Sequence, residues 1–224
     1  MITVEESIVA VVLFCWVVFV ALVLTRSFYH WMKNRGVEHN VAVYYNRKLI
    51  HMLAGGVVAT FVPFVFSSSF FPFIMAMLLA VFVYTPHKIG RIMFWFQTED
   101  NMYEVSFAIM WGTVITLGWL VSGGDFWIGI LPVLFMSFGD SVTGVVRNVL
   151  YKRRTKSWWG NVAMALFSVF VGAVLGAAGM LAGAVASVVE HFEFPPIDDN
   201  VTVPAVSFAI LLLAKLYAPW MLKF

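Results

Sequence analysis

The sequence predicts an all-α, polytopic membrane protein, a helical bundle of seven or eight transmembrane helices with its N-terminus outside. Three observations carry that expectation. Of the 224 residues, 62% are hydrophobic and 12% charged, where a soluble domain carries roughly 25% charged residues. Apolar runs long enough to span a bilayer, about 20 residues, recur along the chain. The basic residues gather in alternate stretches between those runs. Cys15, the single cysteine, lies inside an apolar run, so neither an internal disulfide nor a cysteine-based metal site is available. The net charge of +2 comes without a basic stripe, which leaves the lipid bilayer as the expected partner and argues against nucleic acid.

The first span covers residues 8–25. The residues before it, MITVEES, are acidic and lack the basic start of a secretory signal, so the segment is expected to remain as a transmembrane helix. Residues 49–66, 105–121 and 201–218 fit the same ruler. Residues 70–84 and 126–138 are shorter and contain Pro72 and Pro132; they are read as spans that reach into their polar flanks. The run from 162 to Glu190 is uncharged before that glutamate, too long for one ordinary span. Gly176 to Gly179 offers a turn, and a hairpin there gives eight crossings with both termini outside. Gly172, Gly176, Gly179 and Gly183 form small-xxx-small pairs that let helix backbones approach closely. Packing is their preferred role, and the same faces could join two copies into an oligomer. No repeat or soluble domain is visible, so residues 1–224 are read as one transmembrane domain. Residues 1–44 form a first helix and a basic loop, and 45–224 form the core.

Twelve of the fourteen Lys and Arg residues lie in three alternate loops: Arg26 to Lys48, Lys88 with Arg91, and Arg147 to Lys156. By the positive-inside rule those loops face the cytoplasm. The protein is therefore expected in a cell membrane or an endoplasmic reticulum-type membrane, with its charged face cytoplasmic.

Four groups of residues on that face could carry chemistry. Arg47, Lys48 and His51 stack on adjacent faces of one helical turn and could hold phosphate oxygens, although paired basic residues also simply anchor a helix at the interface. Asp140 closes the fifth span near the hydrocarbon edge. An acid at that depth is a functional candidate by default, with a salt bridge to Arg147 or Lys156 as its plain alternative. Lys156 and Ser157 precede Gly160 at a helix start, a place suited to anion binding by free backbone N–H groups. Asp198, Asp199 and Asn200 exceed what a helix cap requires. With Asp140 they supply hard oxygen ligands suited to Mg2+. No Walker loop is present.

In this order, Arg47-Lys48-x-x-His51, Gly139-Asp140, Lys156-Ser157-x-x-Gly160 and Asp198-Asp199-Asn200-x-x-Val203-Pro204 resemble the signature of the CTP-dependent polyprenol kinase family, which includes dolichol, phytol and CTP-dependent diacylglycerol kinases. The resemblance runs from about residue 45 to the C-terminus. It implies that CTP, or another nucleoside triphosphate, donates its γ-phosphate to the hydroxyl of a lipid alcohol. It further implies that Asp140 and Asp199 hold Mg2+, and that Arg47, Lys48, Lys156 and Ser157 contact phosphates. Asp198 and Asn200 would support that shell, with Ser141, Arg147 and Gly160 completing the cofactor-binding set, while His51 orients the hydroxyl or a phosphate. The family usually has glycines at the positions of Arg147 and Tyr151 and an acid at that of Trp159. A related alternative is a CTP-dependent cytidylyltransferase, which makes a CDP-lipid and pyrophosphate and needs extra cations, such as Arg147 and Arg153, for a lipid phosphate. A small transporter is the third reading; it calls for ionisable groups near the midplane, where the spans have almost none.

Overall fold

The computed structural model describes residues 3–151, 157–192 and 197–223. Among them, seven helical runs are long and apolar enough to cross a membrane, and an isolated β-bridge joins Thr98 and Asn101. We number the helices α1 (Val4–Lys33), α2 (His39–Val65), α3 (Phe70–Lys88), α4 (Tyr103–Ser122), α5 (Trp127–Tyr151), α6 (Trp158–Gly172), α7 (Gly176–His191) and α8 (Asp199–Tyr217).

The expected hairpin is present as α6 and α7. A short 3-10 turn, Ala173–Leu175, leads into Gly176, whose φ of 73° suits a residue without Cβ. The turn therefore begins ahead of the expected Gly176–Gly179. A Cβ on Gly172 would lie 2.2 Å from the Gly179 carbonyl oxygen, and one on Gly183 would lie 2.4 Å from that of Ser168. These antiparallel pairings bring the two backbones together, so the small faces serve contacts within the chain. Lys223 N donates to Leu175 O at 3.2 Å, which closes the tip with the C-terminal segment.

Two segments differ from expectation. Most of the stretch 26–48, read as loop, is helical, because α1 continues to Lys33 and α2 begins at His39. Likewise α5 does not end near Asp140 but runs on to Tyr151. At 1.5 Å per residue, the 30 residues of α1 extend about 45 Å, well beyond a hydrocarbon core of about 30 Å. Polar flanks continue these helices because they protrude, and hydropathy alone sees only the buried part.

Three of the helices contain π-helical turns, at Val20–Leu24, His51–Gly56 and Phe135–Gly139. A widened turn loosens the regular ladder and frees carbonyls, which must find donors where water is excluded. Indole and amide groups supply them. Trp95 Nε1 donates to Ala21 O at 2.9 Å, Asn46 Nδ2 to Thr25 O at 2.8 Å, Trp16 Nε1 to Leu53 O at 2.9 Å and Trp111 Nε1 to Gly55 O at 3.0 Å. The turns in α2 and α5 lie directly beside Lys48, His51 and Asp140.

Helix α5 forms the centre: Ile128, Ile130, Leu131, Val133 and Phe135 are fully buried. A second apolar cluster, including Tyr29, Met32, Val43, Trp95 and Phe96, fixes the α3–α4 connection against α1 and α2. At one end of the bundle Ser67 N donates to the Glu6 carboxylate at 2.6 Å. The helices alternate in direction from there, and both chain ends return to that side. The connections that carry the charged groups lie at the other.

Candidate functional site

Lys48 and Asp140 are the centre of the charged end. Nζ of Lys48 donates to Asp140 Oδ1 at 2.6 Å and Oδ2 at 2.5 Å, and both side chains are buried. Among the described residues Asp140 thus pairs with Lys48, where the sequence suggested Arg147 or Lys156. His51 Nδ1 lies 3.4 Å from Asp140 Oδ2, and its ring stacks on Phe107 with centroids 4.1 Å apart. The one-turn spacing of Lys48 and His51 on α2 aims both at the same carboxylate.

Arg147 is the second buried cation. Its guanidinium forms a two-pronged pair with Glu190, at 2.9 Å to each carboxylate oxygen, and donates to Asn161 Oδ1 at 2.7 Å and Ser157 O at 3.2 Å. This planar fork matches the carboxylate geometry and ties α5 to both arms of the hairpin. Arg147, expected as a cofactor ligand, thus directs these donors to partners within the protein, and it also lines the cavity described below. Gly160 lies against the same arginine. A Cβ there would sit 2.5 Å from Arg147 Nε, so this glycine gives passage to the arginine, and its own N–H bonds Ser157 O at 3.2 Å. Ser157 starts α6 at the edge of this network, its Oγ buried without a hydrogen-bond partner among the described residues.

Asp198, Asp199 and Asn200 divide their work. Asp198 caps α8, accepting from Val201 N at 3.2 Å, and receives Ser106 Oγ at 2.5 Å. Burial, the largest influence, pushes its carboxyl above the ordinary carboxylate range, against the lowering effect of the Ser106 bond. Asn200 Nδ2 donates to Tyr103 O at 3.1 Å, joining α8 to α4. Asp199 turns toward the interior. One carboxylate oxygen each from Asp140, Glu190 and Asp199 lies within 4.8 Å of the others.

Glu190 was not singled out in the sequence, although it is the first acid after the uncharged run. Arg47 and Ser141, both expected to contact the cofactor, have partners within the protein, and Arg47 also lines the cavity described below. Arg47 donates to Phe96 O at 2.7 Å, Thr98 Oγ1 at 3.0 Å and Asn101 Oδ1 at 2.9 Å, holding the α3–α4 connection. Ser141, fully buried, donates to Ser137 O at 2.6 Å and Lys48 O at 3.2 Å. Lys156 lies outside the described residues.

The arrangement fits a small divalent cation. Among the described residues, three hard carboxylates face two cations, Lys48 and Arg147, an excess of negative charge. Ligand oxygens about 2.0 to 2.1 Å from Mg2+ lie at most about 4.2 Å from one another, a spacing the three carboxylates reach with small adjustments.

The cluster closes one end of a cavity of about 760 Å³ lined by α1 to α4. Its polar lining comes from this cluster and from Arg47, Asp100, Glu104 and Asp198 near the same helix ends, and the rest of its wall is apolar, with Leu13, Val58, Met75, Leu79 and Trp111, as far as Phe66 and Phe71. By helical rise, Asp140 and Glu190 stand about 20 Å from the opposite ends of α5 and α7, and Lys48 and Asp199 about 26 Å from those of α2 and α8. The charged groups therefore lie toward one edge of a core about 30 Å thick. An apolar chamber that terminates in carboxylates and cations can take a lipid tail while presenting its head to ionic chemistry.

No protein-family model matches the chain, and neither does any curated protein or solved structure.

Proposed function

We propose that the protein is a membrane lipid kinase of the polyprenol kinase type, transferring the γ-phosphate of CTP or another nucleoside triphosphate to the hydroxyl of a polyprenol or other lipid alcohol at the cytoplasmic face. The observation that carries this reading is the convergence of Asp140, Glu190 and Asp199 at the end of an apolar cavity. Phosphoryl transfer depends mainly on positioning and on neutralising charge, and the residues here are suited to both.

Asp140 and Asp199 are the proposed Mg2+ ligands, with Glu190 added to the pair. The ion, when bound, supplies neutralisation of phosphate charge. Lys48 orients Asp140 and contributes a positive charge beside the reacting groups. His51, held flat by Phe107, positions the lipid hydroxyl for attack. Arg147 keeps Glu190 aimed at the site. Lys156 and Ser157 are the proposed phosphate contacts on the hairpin side. The lipid tail occupies the apolar cavity, and the nucleotide approaches from water.

The cytidylyltransferase reading asks for further cations to hold an acceptor phosphate, and the engagement of Arg147 with Glu190 weighs against it. A transport path is disfavoured because the charged lining gathers at one end of the cavity. Purified protein incubated with CTP, Mg2+ and a panel of lipid alcohols and their monophosphates tests the proposal: lipid monophosphate with CDP, formed from the alcohols, supports it, whereas CDP-lipid with pyrophosphate, formed from the phosphorylated lipids, replaces it.

A further inference from the structure

The apolar cavity has a measurable depth. Along α2 it extends from His51 to Phe66, fifteen residues, and along α3 from Val83 to Phe71, twelve residues, or about 22 Å and 18 Å at 1.5 Å per residue. At its far end Phe66 and Phe71 stand with ring centroids 6.0 Å apart, beside Ala10, which is buried. An extended carbon chain advances about 1.2 Å per bond, the same advance as an extended backbone. The cavity therefore measures about 15 to 18 main-chain carbons. Volume gives a second, independent measure. At roughly 30 Å³ for each water-sized group, 760 Å³ holds about 25 heavy atoms, part of them at the polar end.

From these two measures we infer that the cavity takes a one-tailed lipid alcohol with about 15 to 18 main-chain carbons, its hydroxyl at His51 and Asp140 and its tail ending against Phe66 and Phe71. A lipid with two ordinary acyl tails has about 32 tail carbons and at the same packing needs about 960 Å³, more than the cavity offers. A linear fatty alcohol and an isoprenoid of about four units share the required length, and the wall chemistry accepts either. The inference rests on the lipid-kinase reading only for the identity of the head group; the fit of the tail is a property of the cavity.

Binding without nucleotide tests it. Purified protein is titrated with linear alcohols of increasing length, with prenols of two to eight units and with a diacylglycerol, and the shift in unfolding temperature is recorded. The expected result is stabilisation that rises to a maximum near 16 main-chain carbons, with the diacylglycerol well below it. Leu13→Trp and Met75→Trp, which fill the far part of the cavity from two different helices, should each move the maximum shorter by about three to five carbons. Phe64→Trp, on the lipid-facing surface, should leave it in place. Stabilisation that climbs steadily with chain length in all three variants, or that is greatest for the diacylglycerol, overturns the inference. A clear length maximum with no phosphoryl transfer to any bound alcohol leaves the one-tailed fit standing and removes the kinase reading. Phosphorylation with no length maximum does the reverse.

Discussion

Lys48 and Asp140, ninety-two residues apart in the chain, form a buried ion pair in which the ammonium bonds both carboxylate oxygens. The sequence offered a salt bridge to Arg147 or Lys156 as the plain role of Asp140, and the structure supplies such a bridge from Lys48. Lys48→Met leaves an uncompensated carboxylate beside Glu190 and Asp199, and breaking a buried pair in this way costs about 3 to 5 kcal/mol. Lys48→Met combined with Asp140→Leu should recover most of that stability, since an apolar replacement of both partners is often neutral. Denaturant unfolding in detergent measures both. A single variant as stable as wild type would mean that the pair contributes nothing to the fold.

Gly160→Ala forces a methyl group against Arg147 and Thr143. Overpacking of this kind costs about 1 to 3 kcal/mol, and the loss should be seen without any nucleotide. Unchanged stability together with weakened nucleotide binding would instead restore the role of Gly160 as an anion-binding helix start.

The hairpin returns the α7–α8 connection to the charged end. With Cys15 replaced, Phe192→Cys and Val4→Cys, both at exposed positions, should react with impermeant thiol reagents from opposite sides of the membrane. Labelling from one shared side contradicts eight crossings.

Asp198 supplies a pH dependence. Its carboxyl is held above the ordinary value of 3.8 by burial, so the fold favours the neutral acid. The stability this gives is present below the ordinary value and is lost as pH rises through the raised one. Wild type should therefore lose stability relative to Asp198→Asn as pH rises above the ordinary value of 3.8 and through the raised one. A constant difference across that window, followed by thermal unfolding, would show that Asp198 titrates as an ordinary carboxylate.

Hydropathy and the placement of basic residues made the spans and the hairpin legible, because exclusion of water and the bilayer's thickness act on each segment by itself. Asp140, Asp199, Lys48 and His51 were legible as candidates because charge near hydrocarbon is costly anywhere. Partner choice was not. That Asp140 pairs with Lys48, that Arg147 pairs with Glu190, and that Arg47 holds the Phe96–Asn101 segment all depend on how distant helices rotate against one another. The π-helical turns beside these groups have no local signature; those in α1 and α2 accept bonds from Trp95, Trp16 and Trp111 elsewhere in the chain, and that in α5 from Ser141 and Thr143.

The most direct test of the account follows the γ-phosphate. Purified protein is given γ-labelled CTP and Mg2+ with a one-tailed lipid alcohol or, in a parallel reaction, with its monophosphate, and the label is traced in wild type and in Asp199→Asn, a site change outside the Lys48–Asp140 pair. The account predicts label in a lipid monophosphate with release of CDP, and a loss of at least about a hundredfold in Asp199→Asn, as is usual when a main electrostatic contributor is removed. Label recovered in pyrophosphate alongside a CDP-lipid, or lipid phosphorylation that Asp199→Asn leaves unchanged, would contradict it.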